Sequence, residues 1–468
     1  MKLPLDFKQR TSALLGADDY ERLVAALQEE PPVSIRLNKA KLSRQKGGET
    51  FLVQYEPVAW CRDGSYLPIR PAFTFDPLFH AGAYYVQEAS SMFLAHVLRT
   101  LVREPVKMLD LCAAPGGKST LARSVLPEGS LLIANEVMRN RSHVLVENLI
   151  KWGHPDAVIT RNDPADFSAL PAFFDVMLTD MPCSGEGMFR KDAAAITDWS
   201  VENVNSCWRR QRKILADAWP ALKCGGLLIY STCTFNKEEN EENVVWIVKE
   251  LGAEVLGVPV SSEWHITGNR AGMPFPVYRF LPYQTKGEGL FLAILRKTGE
   301  EKRGTMLPKK QKSGKPCGGI VPNDAFRWVE DADSYAFAVQ GHTICATHKS
   351  LVDDIAWVQR YLHVLQSGLL IGETKGKDLV PNHSLAMSTA LNAEAFACAE
   401  ISYEQAVAYL RKETVTLDPS VHSGYVLLVY RGMPLGFVKN LGHRANNLYP
   451  TEWRIRSGRS PEGLSLGW

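Results

Sequence analysis

Two cysteines stand in company that suits thiol chemistry. Cys183 lies in the run Asp180-Met181-Pro182-Cys183-Ser184-Gly185, and Cys233 in Ser231-Thr232-Cys233-Thr234. A thiolate is a strong nucleophile, and its neighbours decide how readily it forms. A cysteine can also be a small apolar filler, but both of these follow apolar runs of strand length, at 174–180 and 226–231. Adjacent parallel strands would bring them to one rim. Another apolar run, 106–111, leads into Asp110-Leu111-Cys112-Ala113-Ala114-Pro115-Gly116-Gly117-Lys118. Its small residues and paired glycines let a backbone pass close to a ligand, with a helix starting near Lys118. The loop matches neither G-x-G-x-x-G nor the P-loop pattern. Glu136 follows the run 130–134, at the distance from a glycine loop where a carboxylate accepts the hydroxyl protons of a ribose. Asp163, after the run 156–160, is placed for an adenine amino group. Ligand-type residues at four successive strand ends point to a bound nucleoside.

Positioning these residues requires an α/β domain with a mostly parallel sheet. The apolar runs, completed by 289–295, alternate with segments of helical length such as 138–151 and 201–222. Short buried strands separated by helices predict this class, and its ligands bind beyond the carboxyl ends of the strands. Around the catalytic region, 101–296, the chain divides further. Residues 1–100 mix helical and extended signals and predict an α+β extension. Residues 297–320 are rich in Gly, Pro and Lys and read as a basic linker. Residues 321–395 form a small intermediate unit, and 396–468 a last one. Truncation near residue 300 is therefore expected to leave a folded domain.

The bulk composition excludes several classes. The chain has 468 residues, 45% hydrophobic and 22% charged, with nine cysteines and a net charge of +2. It contains no apolar stretch long enough for a transmembrane helix, and the opening MKLPLDFKQR is not a signal peptide, so a cytoplasmic protein with no membrane partner is expected. Cys61, Cys207, Cys224, Cys317, Cys345 and Cys398 are widely spaced and the total is odd, which argues against a disulfide framework. With no C-x-x-C pair and no suitably spaced histidines, no metal site is expected. Charge is unevenly spread: 297–319 carries seven Lys/Arg against two Glu, and 431–459 six against one. Such segments suit contact with a polyanion, and Tyr449 and Trp453 could stack on bases, although large aromatics of this kind are expected more often in the core.

Taken together, YYVQEASSM (84–92), DLCAAPGGK (110–118), Glu136, Asp163, DMPCSGEG (180–187), STCTF (231–235) and GEGLF (287–291) resemble the Sun-type RNA cytosine-5 methyltransferases. GLLIGETK (368–375), PNHSLA (381–386) and RGMPLGFVKNLGHRANNLYP (431–450) are similar to the bacterial members that modify small-subunit ribosomal RNA. One departure is Pro282-Tyr283, where relatives often carry Pro-His. The resemblance implies a Rossmann-like methyltransferase domain with an N-terminal RNA-binding extension and a C-terminal PUA-like RNA-binding module. It implies that Cys112, Ala113, Ala114, Pro115, Gly116, Gly117 and Lys118 hold the methionine end of S-adenosylmethionine, Glu136 its ribose and Asp163 its adenine. It further implies that Cys233 attacks the base and Cys183 assists release. Asp180, beside the same pocket, is a candidate both for holding the cofactor and as the partner for ring nitrogen 3, and Lys118 a candidate cation for a thiolate. DNA cytosine-5 enzymes use the Pro-Cys cysteine as nucleophile and lack Ser-Thr-Cys, so RNA is the expected substrate and partner. The expected form is a monomer acting in ribosomal RNA processing.

Overall fold

The computed structural model describes residues 1–44, 55–300, 319–376 and 378–457. Most of the basic linker, with Cys317, lies outside them.

The catalytic region forms one nine-stranded sheet. Its strands are β1 (Lys107–Asp110), β2 (Leu131–Asn135), β3 (Ala157–Thr160), β4 (Phe174–Asp180), β5 (Leu222–Thr232), β6 (Ala253–Leu256), β7 (Tyr278–Phe280), β8 (Leu290–Lys297) and β9 (Val364–Ser367). The order is β6-β8-β5-β4-β1-β2-β3-β9, with β7 paired to β8. Five neighbours, β5 to β3, run parallel, while β8 and β9 pair antiparallel at the two sides. The central strands read as unbroken apolar runs because both sheet faces are covered: Leu109, Ile133 and Met177 face one core, Met108, Leu132 and Leu178 the other.

Helix α1 (Gly117–Val125) follows β1, α2 (Arg139–Trp152) follows β2, and α3 (Val201–Ala218) precedes β5. The last begins where Ser200 accepts a hydrogen bond from the Asn203 amide, which satisfies one unpaired donor of its first turn. From β1 the chain first builds outward through β2 and β3, then returns to lay β4 on the other side of β1. This reversal opens the crevice where such sheets bind ligands, and it sets the glycine loop after β1 beside Asp180 at the end of β4.

Three further four-stranded sheets surround this one. The first uses Val33–Leu37, Pro57–Val58, Cys61–Leu67 and Tyr84–Val86. The second uses Tyr335–Gln340, Thr343–His348, Leu369–Lys375 and Asp378–Pro381. The third uses Ala397–Glu400, Gly424–Tyr430, Met433–Asn440 and Ala445–Asn447. The first and third share a core in which Ile35, Leu78 and Tyr84 pack with Val426, Leu428 and Val438.

The segment 321–395, expected as a unit of its own, is divided between two sheets. Its strand β9 pairs with β3, and helix α4 (Val352–Tyr361) packs on the catalytic sheet. Val-Leu-Gln-Ser is too short and too mixed to announce a strand, so its pairing is decided by the open edge of β3. Leu351, Ile355, Val358 and Leu362 are buried in the catalytic core, each contributing about 1.5–3 kcal/mol. Their loss, about 6–12 kcal/mol in sum, is comparable with the whole stability of a domain. Truncation near residue 300 should therefore not leave a healthy domain. The shortened chain should melt more than about 10 °C below the full chain in circular dichroism, or fail to stay soluble. A melting point equal to that of the full chain would show that α4 and β9 are dispensable.

Candidate active site

The rim of the crevice gathers the residues singled out from the sequence. Parallel pairing sets Asp180 of β4 opposite Ser231 of β5, and the loops leaving both strands bring Cys183 Sγ to 3.2 Å from Cys233 Sγ. The hydrogen bond to Cys233, then burial, then the charges of Cys233 and Glu239 push the Cys183 thiol well above its ordinary value. Cys183 thus keeps its proton, and the two sulfurs share one hydrogen bond. Cys112, on the glycine loop, is pushed up by burial and by the carboxylates of Asp110, Glu136 and Asp180, so it remains a neutral thiol.

Asp180 is held on both oxygens. Lys118 Nζ lies 2.8 Å from Oδ2, and Ser231 Oγ donates to Oδ1 at 2.9 Å. Burial works against the Lys118 charge, but the Asp180 carboxylate outweighs it through charge and hydrogen bond, with Cys233 and Glu88 adding, and the ammonium is raised. The cation expected to serve a thiolate is therefore committed first to Asp180.

The glycine loop turns at Gly116, whose φ of 112° is left-handed and favours a residue without Cβ. At Gly117 an added Cβ would meet the Tyr85 ring at 3.3 Å and Gln87 Nε2 at 3.6 Å. Gln87 Nε2 and Asp110 Oδ1 are buried and have no hydrogen-bond partner among the described residues. Unsatisfied buried polar atoms are costly, and two of them flanking a ligand loop are what a polar ligand would relieve. Burial, opposed by the Ser119 hydrogen bond and aided by Asp180, pushes the Asp110 carboxyl up to about 7.

Glu136 ends β2 almost fully buried. One oxygen accepts from the Met138 amide at 2.9 Å, and the other lies 3.2 Å from Arg141 Nη1. Arg141, itself exposed, also donates to Ala114 O at 2.7 Å, so a single side chain spans the ribose-type carboxylate and the glycine loop. Asp163 is exposed and caps the short turn Pro164–Ala169, accepting from the Ala165 amide. Of the aromatics proposed for base stacking, Tyr449 is 1% exposed and packs on Tyr409 and His383. It is a core residue, the fate expected for such aromatics, and not a stacking position.

Several residues at the rim were not anticipated. Asp110 was read only as the end of a strand. Glu186, Gln211, Asn236 and Glu239 form a buried polar cluster behind the thiols. Its signal was available in DMPCSGEG for Glu186, but Glu239 sits in a run of charges that reads as a solvated face. The N-terminal helices Leu5–Leu15 and Ala17–Ala26 buttress the same loops: Phe7, Tyr20 and Leu23 pack with Phe189, Trp199 and Phe235.

Comparison with known proteins places this geometry. Residues 98–296 match the family described as 16S rRNA methyltransferase RsmB/F. Residues 3–89 match the N-terminal domain of 16S rRNA methyltransferase RsmF, and 396–455 the methyltransferase RsmF PUA domain. The ribosomal RNA small subunit methyltransferase F of Enterobacter sp. (strain 638) is 30% identical over 485 residues, covering 96% of this chain and 95% of its own. That of Klebsiella pneumoniae (strain 342) is 31% identical over 467 residues, covering 96% and 94%. Among solved structures, a methyltransferase homologue from Pyrococcus horikoshii superposes with a TM-score of 0.51 at 25% identity, covering 62% of this chain and 93% of that one. NSun6 from the same organism, solved with SFG, gives 0.53 at 22% identity, covering 64% and 99%. These likenesses agree with the expected fold: a Rossmann-like methyltransferase domain between an N-terminal domain and a C-terminal PUA domain.

Proposed function

Because the chain belongs to the 16S rRNA methyltransferase RsmB/F family, we propose that it methylates carbon 5 of a cytosine in small-subunit ribosomal RNA, through a bond from Cys233 to carbon 6. The observation that carries this reading is the contact of two thiols, 3.2 Å apart, beside the Lys118–Asp180 pair.

S-adenosylmethionine supplies the methyl group as an electrophile when bound. The residues present fit it. The loop 112–118 offers a close backbone, and Asp110 Oδ1 and Gln87 Nε2 are buried and unpaired. Glu136 and Asp163 stand at the ends of β2 and β3 for the ribose and the adenine. The N-terminal region 1–100 and the C-terminal region 396–468 hold the RNA, and the segment 321–395 joins the latter to the catalytic region 101–296. The protein acts as a monomer in the cytoplasm.

Carbon 5 of cytosine is too weak a nucleophile to attack a sulfonium methyl. The thiolate of Cys233 adds to carbon 6, and the electron pair of the 5,6 double bond makes carbon 5 nucleophilic. Asp180, held between Lys118 and Ser231, accepts a hydrogen bond from the 4-amino group and stabilises a proton that nitrogen 3 takes from water. It thereby favours the cationic ring that invites attack. Once Cys233 is alkylated, its hydrogen bond and charge no longer hold the Cys183 proton, which passes to water. Once carbon 5 carries the methyl group, Cys183 would take the proton from it, the electrons of that C–H bond would restore the double bond, and Cys233 would leave as a thiolate. The base must leave its stack for this to happen, so a single-stranded or easily opened site is the substrate.

If Glu136 holds the ribose, its charge-assisted hydrogen bonds contribute about 1.5–3 kcal/mol each. Glu136→Ala should weaken S-adenosylhomocysteine binding by about ten- to a hundredfold in calorimetry, with the fold intact. Unchanged affinity would remove Glu136 from the cofactor site.

The division of labour between the cysteines has its own test. Cys183→Ala should still attack and methylate but fail to release, leaving a slow-migrating protein–RNA band on a denaturing gel. Cys233→Ala and the double variant should give no such band and no methylated RNA. A stable adduct in Cys233→Ala instead would make Cys183 the nucleophile, as in DNA cytosine-5 enzymes.

A further inference from the structure

Behind the thiols lie two buried carboxylates that the proposed chemistry does not use. Glu186 sits on the loop that carries Cys183, and Glu239 follows Cys233; they are 1% and 0% exposed. Each reaches across to the other cysteine's loop. Glu186 Oε2 accepts from the Phe235 and Asn236 amides, at 2.6 and 2.9 Å, just past Cys233. Glu239 accepts from the amide of Ser184, the residue after Cys183, at 3.1 Å to Oε2 and 3.3 Å to Oε1.

Further bonds tie the two halves together. Asn236 Nδ2 donates to Glu186 Oε1 at 3.0 Å and to Glu239 Oε1 at 2.8 Å. Gln211 Nε2, from α3, donates to Pro182 O at 3.1 Å and to Glu239 Oε2 at 2.7 Å. The Gly187 amide donates to Cys233 O at 2.7 Å, and a Cβ at Gly187 would meet that oxygen at 2.5 Å. Burying two acids in one dry cluster is costly, and apolar residues would stabilise the same space at least as well. A fully satisfied polar network instead fixes one geometry.

We infer that Glu186 and Glu239 are positioning residues that form a crossed clamp, each carboxylate gripping the backbone of the opposite cysteine loop and so holding the two sulfurs in contact. The catalytic consequence rests on the two-cysteine reading above; the geometric claim does not.

Glu239→Gln tests the clamp with little change in volume. Ser184, Asn236 and Gln211 all donate to this carboxylate, and an amide would set an N–H against one of these donors. Gln211 cannot turn to compensate, because its Oε1 already accepts from Tyr230 Oη and Asn243 Nδ2. The readout is cross-linking of the full-length protein by diamide, which takes two electrons and two protons from the thiols. Two S–H bonds break, one S–S bond forms, and the N=N bond of diamide is reduced to a hydrazine. The yield of the peptide pair joined through Cys183 and Cys233 is followed by mass spectrometry against alkylation of the exposed Cys398.

Both Glu239→Gln and Glu186→Gln should slow this cross-link tenfold or more. kcat should fall about as far, while KM for RNA and affinity for S-adenosylhomocysteine stay as they were. Cross-linking at the unaltered rate in both variants overturns the clamp. Slowed cross-linking in a protein whose parent does not methylate ribosomal RNA supports the clamp and sinks the functional reading instead. If the glutamine variants do not fold, Glu239→Asp decides. It keeps the charge but draws the carboxylate back by one methylene from the Ser184 amide that it grips. A threefold slowing supports the clamp, and no change overturns it.

Discussion

Two sulfurs stand in contact at the end of a sheet, and much of this structure bears on that contact. Parallel pairing places Asp180 level with Ser231, but neighbouring strands are about 4.8 Å apart and neither cysteine lies on its strand. The loops must converge by their own means. The sheet therefore supplies coarse placement, and the polar cluster behind the loops supplies the rest. Even the N-terminal helices serve this end, since Phe7 packs directly against Phe189 and Trp199, beyond the first cysteine loop.

Charge at the rim follows a consistent logic. Asp110, Glu136 and Asp180 surround the glycine loop, and their field is one reason that Cys112 stays a thiol. Lys118 answers Asp180, and Arg141 answers Glu136 from a solvent-exposed position. Asp110 has no cation within its own hydrogen bonds and is pushed toward neutrality by burial. A ligand that brings positive charge, as a sulfonium with an ammonium group does, would favour the ionised form of Asp110. Cys183 obeys the same rule at shorter range, where the neighbouring sulfur decides its protonation.

The central fold was legible because its signals are local. Runs such as 130–134 and 174–180 are apolar on both faces only if helices cover them, and the residues that follow must then face the crevice. What escaped was decided by contacts far apart in sequence. Strand β9 is recognisable only once β3 offers it an edge some two hundred residues upstream, as the pairing of Val364 with Thr160 shows. Glu239 escaped for a different reason. The run Lys237-Glu238-Glu239-Asn240-Glu241-Glu242 has the composition of a solvated surface, yet Glu239 and Glu241 are both 0% exposed. Glu241 is matched by Arg279 at 2.5 Å, and that partner cannot be read from the run itself. Charge patterns report exposure only where no distant partner is waiting.

The same long-range economy governs how the outer regions sit. Lys41, from the N-terminal region, is buried and donates to Ala81 O at 2.7 Å and to Lys151 O, at the end of α2, at 2.6 Å. Burial, with Lys151 adding, lowers its ammonium to about 7, so the position is held by directed hydrogen bonds more than by charge. Beside it, Gly153 closes α2 with a φ of 86° and lets the backbone of Met387 approach; a Cβ there would meet Met387 O at 2.0 Å. The N-terminal region, α2 and the segment before the PUA domain are thus locked at one junction, while the first and third outer sheets share a core. A lid on a flexible tether would not be built this way. The N-terminal region and the segment before the PUA domain are fixed through α2 to the sheet that carries the thiols.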